Sequence, residues 1–342
     1  GAFAFACTLA FALAFTVGPV SAEGVTIGGR VDMGLQRIDD GVSQQNRVDS
    51  GIYAASRVII RGSEDLGGGL GAHFYLEHRF NADEGDAQSA KFWNAGSYVG
   101  LSSSSLGTLT LGRQQLPIFW PFQGGDDTGN ARLHSYSAVQ SVQHSLNTAW
   151  EFEDNLVVYK SLSFSHITAS FAIGMAEGAA GGQGEVMGGN IEYRKHGNYV
   201  GLGFNSKTAG GGGASTLNES VLAGMYAVNQ DFNAWGNLHQ WNSDSAGRTQ
   251  KGNDFMLGVS YRHRGNVAWF NYASKSVDNC ASCDSNGFGV GYHYLLSKRT
   301  ELYAALGNVK NETNSANNLN GFSPSAPGQT MRGLAAGVYH QF

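Results

Sequence analysis

From Val25 onward the chain alternates. Val25, Ile27, Val31, Met33 and Leu35 fall on one parity and Thr26, Arg30, Asp32 and Gln36 on the other, the period-two pattern of a strand with one apolar and one polar face. The pattern returns in Ala72/Phe74/Leu76, Val200/Leu202/Phe204, Phe255/Leu257/Val259/Tyr261 and Phe288/Val290/Tyr292/Tyr294, and such segments continue to the chain end. Composition argues against a helical solution. The 342 residues include 49 Gly, and each interior Gly costs a helix ~1 kcal/mol relative to Ala. After the first 22 residues no apolar run approaches the ~18 that a spanning helix needs. Charged residues make up 14%, well under the roughly 25% of soluble domains. A net charge of -5 without a basic run leaves no electrostatic footprint for nucleic acid.

The connections between strands alternate in length. Short turns fall at Glu64 to Gly67, Ser102 to Leu106, Ser161 to Ser163, His196 to Asn198, Gln230-Asp231, His263 to Asn266 and Ser297 to Arg299. Longer polar stretches lie between them, at about 39–50, 81–90, 115–150, 177–185, 207–217, 243–252, 277–285 and 311–328. Seven turns and eight loops make fifteen connections, hence sixteen strands. A soluble sandwich also alternates, but its connections are of similar short length. The expected fold is therefore all-β, a transmembrane antiparallel β-barrel with short periplasmic turns and long outer loops. Closure leaves no unpaired edge in lipid. A barrel of that size encloses more space than side chains fill, so its interior is an aqueous channel.

Residues 1–22 read as a partial signal peptide that is removed. Residues 1–20 carry no charge, and Val20-Ser21-Ala22 puts small residues where a signal peptidase reads. Residues 23–342 then form a single barrel domain that begins at Glu23, with Cys280 and Cys283 as its thiols. In an exported chain their CASC spacing favours a local disulfide over a zinc site.

The stretch SRVIIRGSEDLGGGLGAHFYLE, Ser56 to Glu77, resembles the general porins of Gram-negative bacteria, of the trimeric beta-proteobacterial type. Val25 to Leu35 is similar to that family's opening strand, Val99 to Gln114 to its fourth and fifth strands, and Glu153 to Gly174 to its sixth and seventh. The end, GVYHQF, is similar to its terminal strand, with Phe342 as the final aromatic that the barrel insertion machinery reads. The resemblance implies a homotrimer in contact with outer-membrane lipid and lipopolysaccharide. It also implies a third loop folded into the lumen, and passive diffusion of small hydrophilic solutes and ions without cofactor or catalysis. Residues 115–150 independently form the longest connection, bounded early by Pro117 and Pro121. Loops of such length are usually functional or disordered.

Charge selection in such a pore comes from a ring of charge at its narrowest part. By parity Arg57 and Arg61 face the lumen opposite to Val58 and Ile60. Arg30, Asp32 and Glu77 share polar faces too, either as constriction charges or as pairs on a solvated wall. The resemblance makes Arg113 pore lining, whereas parity places it with Leu109 and Leu111; a bulge or strand end at Gly112 reconciles the two. On the sixth strand Phe152, Asp154 and Lys160 point inward, with Phe152 standing where the family usually carries Arg. Two readings of Asp126 and Asp127 remain open: acidic partners of the arginine wall, or a solvated Gly-flanked turn, in which case Glu151 and Glu153 take their place. Trp120, Phe119 and Phe122 are either a structural clamp for the loop or part of an aromatic slide. That second option belongs to a solute-specific channel for anions, organic acids or sugars. No Gly-x-Ser-x-Gly or His-x-x-His spacing accompanies the ten histidines, so no catalytic residues and no metal site are expected.

Overall fold

The computed structural model describes residues 24–128, 152–176, 184–208, 215–245 and 248–342. The leader expected at 1–22, the start at Glu23 and Glu151 lie outside them. One antiparallel sheet closes on itself, because the first strand pairs with the last: Arg30 stands opposite Gln341 and Asp39 opposite Arg332. The strand segments are β1 Thr26–Asp39, β2 Gln44–Ser50, β3 Arg57–Gly67, β4 Leu70–Asn81, β5 Asp86–Ala87, β6 Ser97–Ser103, β7 Gly107–Gln114, β8 Glu153–Lys160 and β9 Ile167–Gly174. The second half adds β10 Val186–Lys195, β11 Asn198–Thr208, β12 Thr216–Ala227, β13 Phe232–Ser245, β14 Arg248–His263, β15 Asn266–Val277, β16 Ser285–Leu295, β17 Thr300–Asn311 and β18 Thr330–Gln341. β5 is a two-residue flap on β4, and β2 and β3 are halves of one interrupted strand facing β1, so sixteen strands build the wall.

The apolar parity faces outward: Ile27, Leu35, Leu101, Leu202, Leu257 and Val290 are all exposed on the isolated chain, as a lipid-facing band requires. Tyr193, Tyr226, Phe232, Tyr261, Tyr292 and Tyr294 form an aromatic girdle above the short-turn end, which marks the periplasmic interface. On the inner face large rings lie over glycines of the next strand, Trp235 over Gly258 and Trp269 over Gly291. That arrangement uses part of the glycine content for packing. At the seam, Gly29 exchanges backbone hydrogen bonds of 3.1 Å with Phe342. A Cβ on Gly29 would stand 2.2 Å from the Arg57 carbonyl oxygen and 2.8 Å from the Phe342 ring, so glycine lets the terminal aromatic close the barrel.

Two of the expected loops are strand instead. Residues 44–50 form β2 after a tight turn at 40–43, and Ser245 pairs with Arg248, so β13 and β14 run through the stretch read as a loop at 243–252. These segments rise beyond the membrane, where water bathes both faces and alternation no longer marks a strand. The second strand is also broken. Three steps on β1, Arg30 to Met33, face seven on its partner, Ser50 to Arg57, which leaves four surplus residues within 51–56.

The third outer loop turns inward as soon as it leaves β7. Its helix α1, Phe119–Gly124, packs on the inner faces of β10, β11 and β12. The Asn190 side-chain amide donates to the Pro117 carbonyl at 2.8 Å, and the Tyr199 hydroxyl to the Trp120 carbonyl at 3.3 Å. Phe119 and Phe122 are buried, with the Phe122 ring 5.0 Å from that of His239 on β13. Trp120 remains 40% exposed.

Candidate functional site

Strand register sets three guanidinium groups in one row. Arg30 on β1 is the partner of Arg57 on β3, and Arg57 is the partner of Arg79 on β4. Neighbouring strands lie ~4.8 Å apart, and like charges directly opposite each other destabilise a sheet. The row therefore persists only with compensating groups around it. Glu77, two residues before Arg79 on the same face and 3% exposed, binds Nη1 of Arg57 and Nε of Arg79, each at 2.8 Å, and accepts from the Tyr75 hydroxyl.

The second compensating group is the break in the second strand. The Ala55 carbonyl accepts from Nε of Arg30 at 3.1 Å and from Nε of Arg57 at 3.2 Å. Asp32 fastens this segment. Its fully buried carboxylate accepts the Tyr53 and Ala54 N–H groups at 2.7 Å each and the Tyr303 hydroxyl at 2.6 Å. The Tyr53 ring reaches the opposite side of the seam, 4.1 Å from His293 and 5.3 Å from Tyr339. Asp32 thus acts on the arginines through backbone, a role that parity alone does not reveal.

Arg113 extends the cluster. The register between β7 and β8 shifts between Gly112 and Gln114, where Gly112 has a φ of 132° open to glycine. The irregularity is the bulge anticipated from the conflict between parity and resemblance. It lets Arg113 bind the Asn94 carbonyl at 2.8 Å and Asp154 at 2.8 Å. Lys91, from the second outer loop, closes on the other carboxylate oxygen of Asp154. Phe152 lies between the arginines, its ring centre 4.7 Å from the Arg79 guanidinium and 5.8 Å from that of Arg113, within cation–π range. Among the described residues five cations, Arg30, Arg57, Arg79, Arg113 and Lys91, gather around the carboxylates Glu77 and Asp154, with Asp32 behind the Ala55 segment. Counted over these residues, the cluster is positive.

Other expected residues lie elsewhere. Arg61 is exposed four residues below Arg57, ~13 Å along the strand, with Nε 3.3 Å from the Thr26 hydroxyl. Lys160 is exposed at the periplasmic end of β8. Asp126 and Asp127 do not sit in a solvated turn and are held by partners other than the row. Asp126 is buried and caps Thr128, its Oδ1 2.8 Å from that residue's N–H. Asp127 binds Arg262 on β14 at 2.5 Å and Asn233 on β13 at 3.0 Å, besides the Ser260 hydroxyl. They anchor the loop, and the acid bound within the row is Glu77. Glu153 pairs with Lys207 at 2.5 Å. Cys280 and Cys283 are bonded in the seventh outer loop, their Cα atoms 5.6 Å apart.

Sequence reasoning passed over Lys91, which no pattern marks in its loop, and Arg79. Arg79 shares parity with Tyr75 and Glu77, and extending that inward face by one pair finds it. Across the lumen, buried His239 contacts Asp254 at 3.0 Å and Glu219 at 3.6 Å beneath Phe122. The network is buried, with the Phe122 ring of the loop against His239. Among the described residues no group of three or more His, Cys, Asp or Glu is placed to hold a metal ion. What the geometry offers is a fixed, arginine-rich strip beside an aqueous path, with an inserted loop narrowing the lumen.

Comparison with known proteins agrees with that description. Residues 8–314 match the family model for Gram-negative porins. Outer membrane porin protein 32 of Delftia acidovorans is 29% identical over 96% of this chain and 97% of its own. The solved anion-selective porin from Comamonas acidovorans superposes with a TM-score of 0.81 at 27% identity, covering 93% of this chain and 99% of that one. OmpT of Vibrio cholerae, at 13% identity, shares the fold with a TM-score of 0.69 over 95% of this chain and 100% of its own. A closed sixteen-stranded barrel with an apolar outer band, a loop folded inside it and this match along most of its length has one family assignment: the chain belongs to the Gram-negative porins of the outer membrane.

Proposed function

We propose that this porin is an open channel for passive diffusion of small hydrophilic solutes and ions, with a mild preference for anions. The observation that carries the reading is the register row itself, which sets the guanidinium groups of Arg30, Arg57 and Arg79 side by side on three neighbouring strands, with Glu77 as the carboxylate bound to it among the described residues. Fixed charge at a narrow, wet passage biases ion entry. Similarity to the anion-selective porin from Comamonas acidovorans supports the sign. The bias is moderate because Glu77 and Asp154 neutralise part of the row, and Phe152 adds a ring where the family usually has a further cation. Near physiological salt, permeability to small anions exceeds that to cations by less than about tenfold, since exposed charges are screened beyond ~8 Å.

The channel works as a homotrimer in outer-membrane lipid and lipopolysaccharide, inserted through recognition of Phe342. OmpT of Vibrio cholerae, which shares the fold, has been solved in a trimer form. A second reading, a channel with a defined site for an organic anion, is favoured by one feature: Ala55 and Glu77 hold the guanidinium groups in fixed positions, which suits a carboxylate ligand. Single-channel recording with increasing organic anion separates the two. Current that grows linearly supports free diffusion, and saturation at low concentration supports the defined site.

A further inference from the structure

Basic side chains gather along one arc of the periplasmic rim. On the opposite arc charges are mixed: the foot of β3 carries half-buried Glu64 and exposed Asp65, and β8 ends at exposed Lys160. From β10 round to β18 the rim instead presents Lys195, Arg264, Lys298 and Arg299, all exposed. The acids along that arc are Asp231 and Glu301, and Glu301 is held by His293 at 2.8 Å.

Directly above this basic arc the outer wall has a groove. Tyr261, Ala268, Tyr292 and Ala304 are successive register partners on β14, β15, β16 and β17. The row above them is Val259, Phe270, Val290 and Leu306. In the lower row each alanine stands beside a tyrosine, which leaves a trough of about 500 Å³ lined almost wholly by carbon. With strands ~4.8 Å apart, the two tyrosines are ~10 Å from each other, wide enough for an acyl chain. Arg264 lies four residues below Ala268, and Lys298 and Arg299 lie in the turn below Ala304. A tail in the trough therefore places its phosphate at the basic rim.

We infer that the β14–β17 face binds an anionic glycerophospholipid of the periplasmic leaflet, its tail between Tyr261 and Tyr292 and its phosphate on Arg264, Lys298 and Arg299. Position selects this occupant, because the groove is at the short-turn end, away from the outer loops. Charge selects the headgroup, since basic residues beside a bilayer favour anionic lipid. The aromatic girdle flanking the trough supplies the interfacial contacts.

The test uses the full-length channel purified in detergent and offered equal phosphatidylglycerol and phosphatidylethanolamine, with retained lipid read by native mass spectrometry. The expected result is several-fold more phosphatidylglycerol, an excess that shrinks as salt is raised. The combined variant Arg264→Asn, Lys298→Gln and Arg299→Gln should abolish the excess. Asn suits position 264 because its φ is 51°. Ala268→Trp with Ala304→Trp should reduce total retained lipid, and Glu64→Gln with Asp65→Asn should change neither. Equal retention of both lipids by the native protein at low salt overturns the inference, as does displacement by lipopolysaccharide. A second copy of the chain covering the groove, with no lipid retained, overturns it too. The salt series needs no variant, so misfolding of a mutant does not spare the claim.

Discussion

Replacing Glu77 by Gln removes one negative charge from the arginine row while keeping side-chain shape and one hydrogen-bond acceptor. The carboxylate now binds Arg57 and Arg79 at 2.8 Å each. An ion passing ~8 Å away feels it by about 0.5 kcal/mol in a water-like dielectric, a factor of about 2.4 in local concentration. An anion loses that repulsion and a cation loses that attraction, so the permeability ratio shifts toward anions about sixfold when unscreened. At physiological salt the ~8 Å screening length cuts the energy to about a third and the shift to about twofold. The assay is the zero-current potential across a salt gradient in planar bilayers, at low and at physiological salt. Arg61→Gln is the internal control: ~13 Å further along the strand, it should move the potential toward cations by less than half as much. No change in Glu77→Gln, or a shift toward cations, would refute the placement of the row at the selecting part of the pore. Folded barrel is verified by heat-modifiable gel mobility, because breaking a buried ion pair also costs stability.

Other outcomes follow from the same contacts. Asp32→Ala strips the acceptor from the buried Tyr303 hydroxyl, worth about 1–3 kcal/mol, and from the part-buried Tyr53 and Ala54 N–H groups; it should lower the thermal transition of the barrel and broaden the single-channel conductance distribution, because Ala55 no longer fixes Arg30 and Arg57. Phe152→Arg should shift the zero-current potential toward anions at every salt tested, and an unchanged potential means the ring lies away from the ion path. Deleting Phe342 uncovers Gly29 at the β1–β18 seam; folded yield at high expression should fall while the conductance of the channels that do form stays the same, as counted on gels and in bilayers.

Much of the architecture was legible because period-two alternation is a local property. Phe288, Val290, Tyr292 and Tyr294 announce a strand without reference to any neighbour, and the short turns at 196–197 and 264–265 fall where the apolar parity lapses. The bulge at Gly112 was legible for a related reason: a charge on the lipid parity is costly enough to demand one. Parity also gave Arg57 its direction. It failed at 51–56, where an interruption inside a strand resets the register and no local residue type signals that Tyr53 crosses to His293. It has no bearing on loop residues such as Asp127, whose partner Arg262 is 135 positions away. Partnerships across a lumen depend on closure of the whole sheet, and alternation carries no information about which wall a loop reaches.

The most direct test of the diffusion reading is the zero-current potential of the purified native channel under a tenfold potassium chloride gradient. The expected potential is of anion-selective sign, corresponds to a chloride preference below about tenfold and declines as mean salt is raised. A cation-selective potential, or an anion preference that stays constant as salt rises, contradicts it.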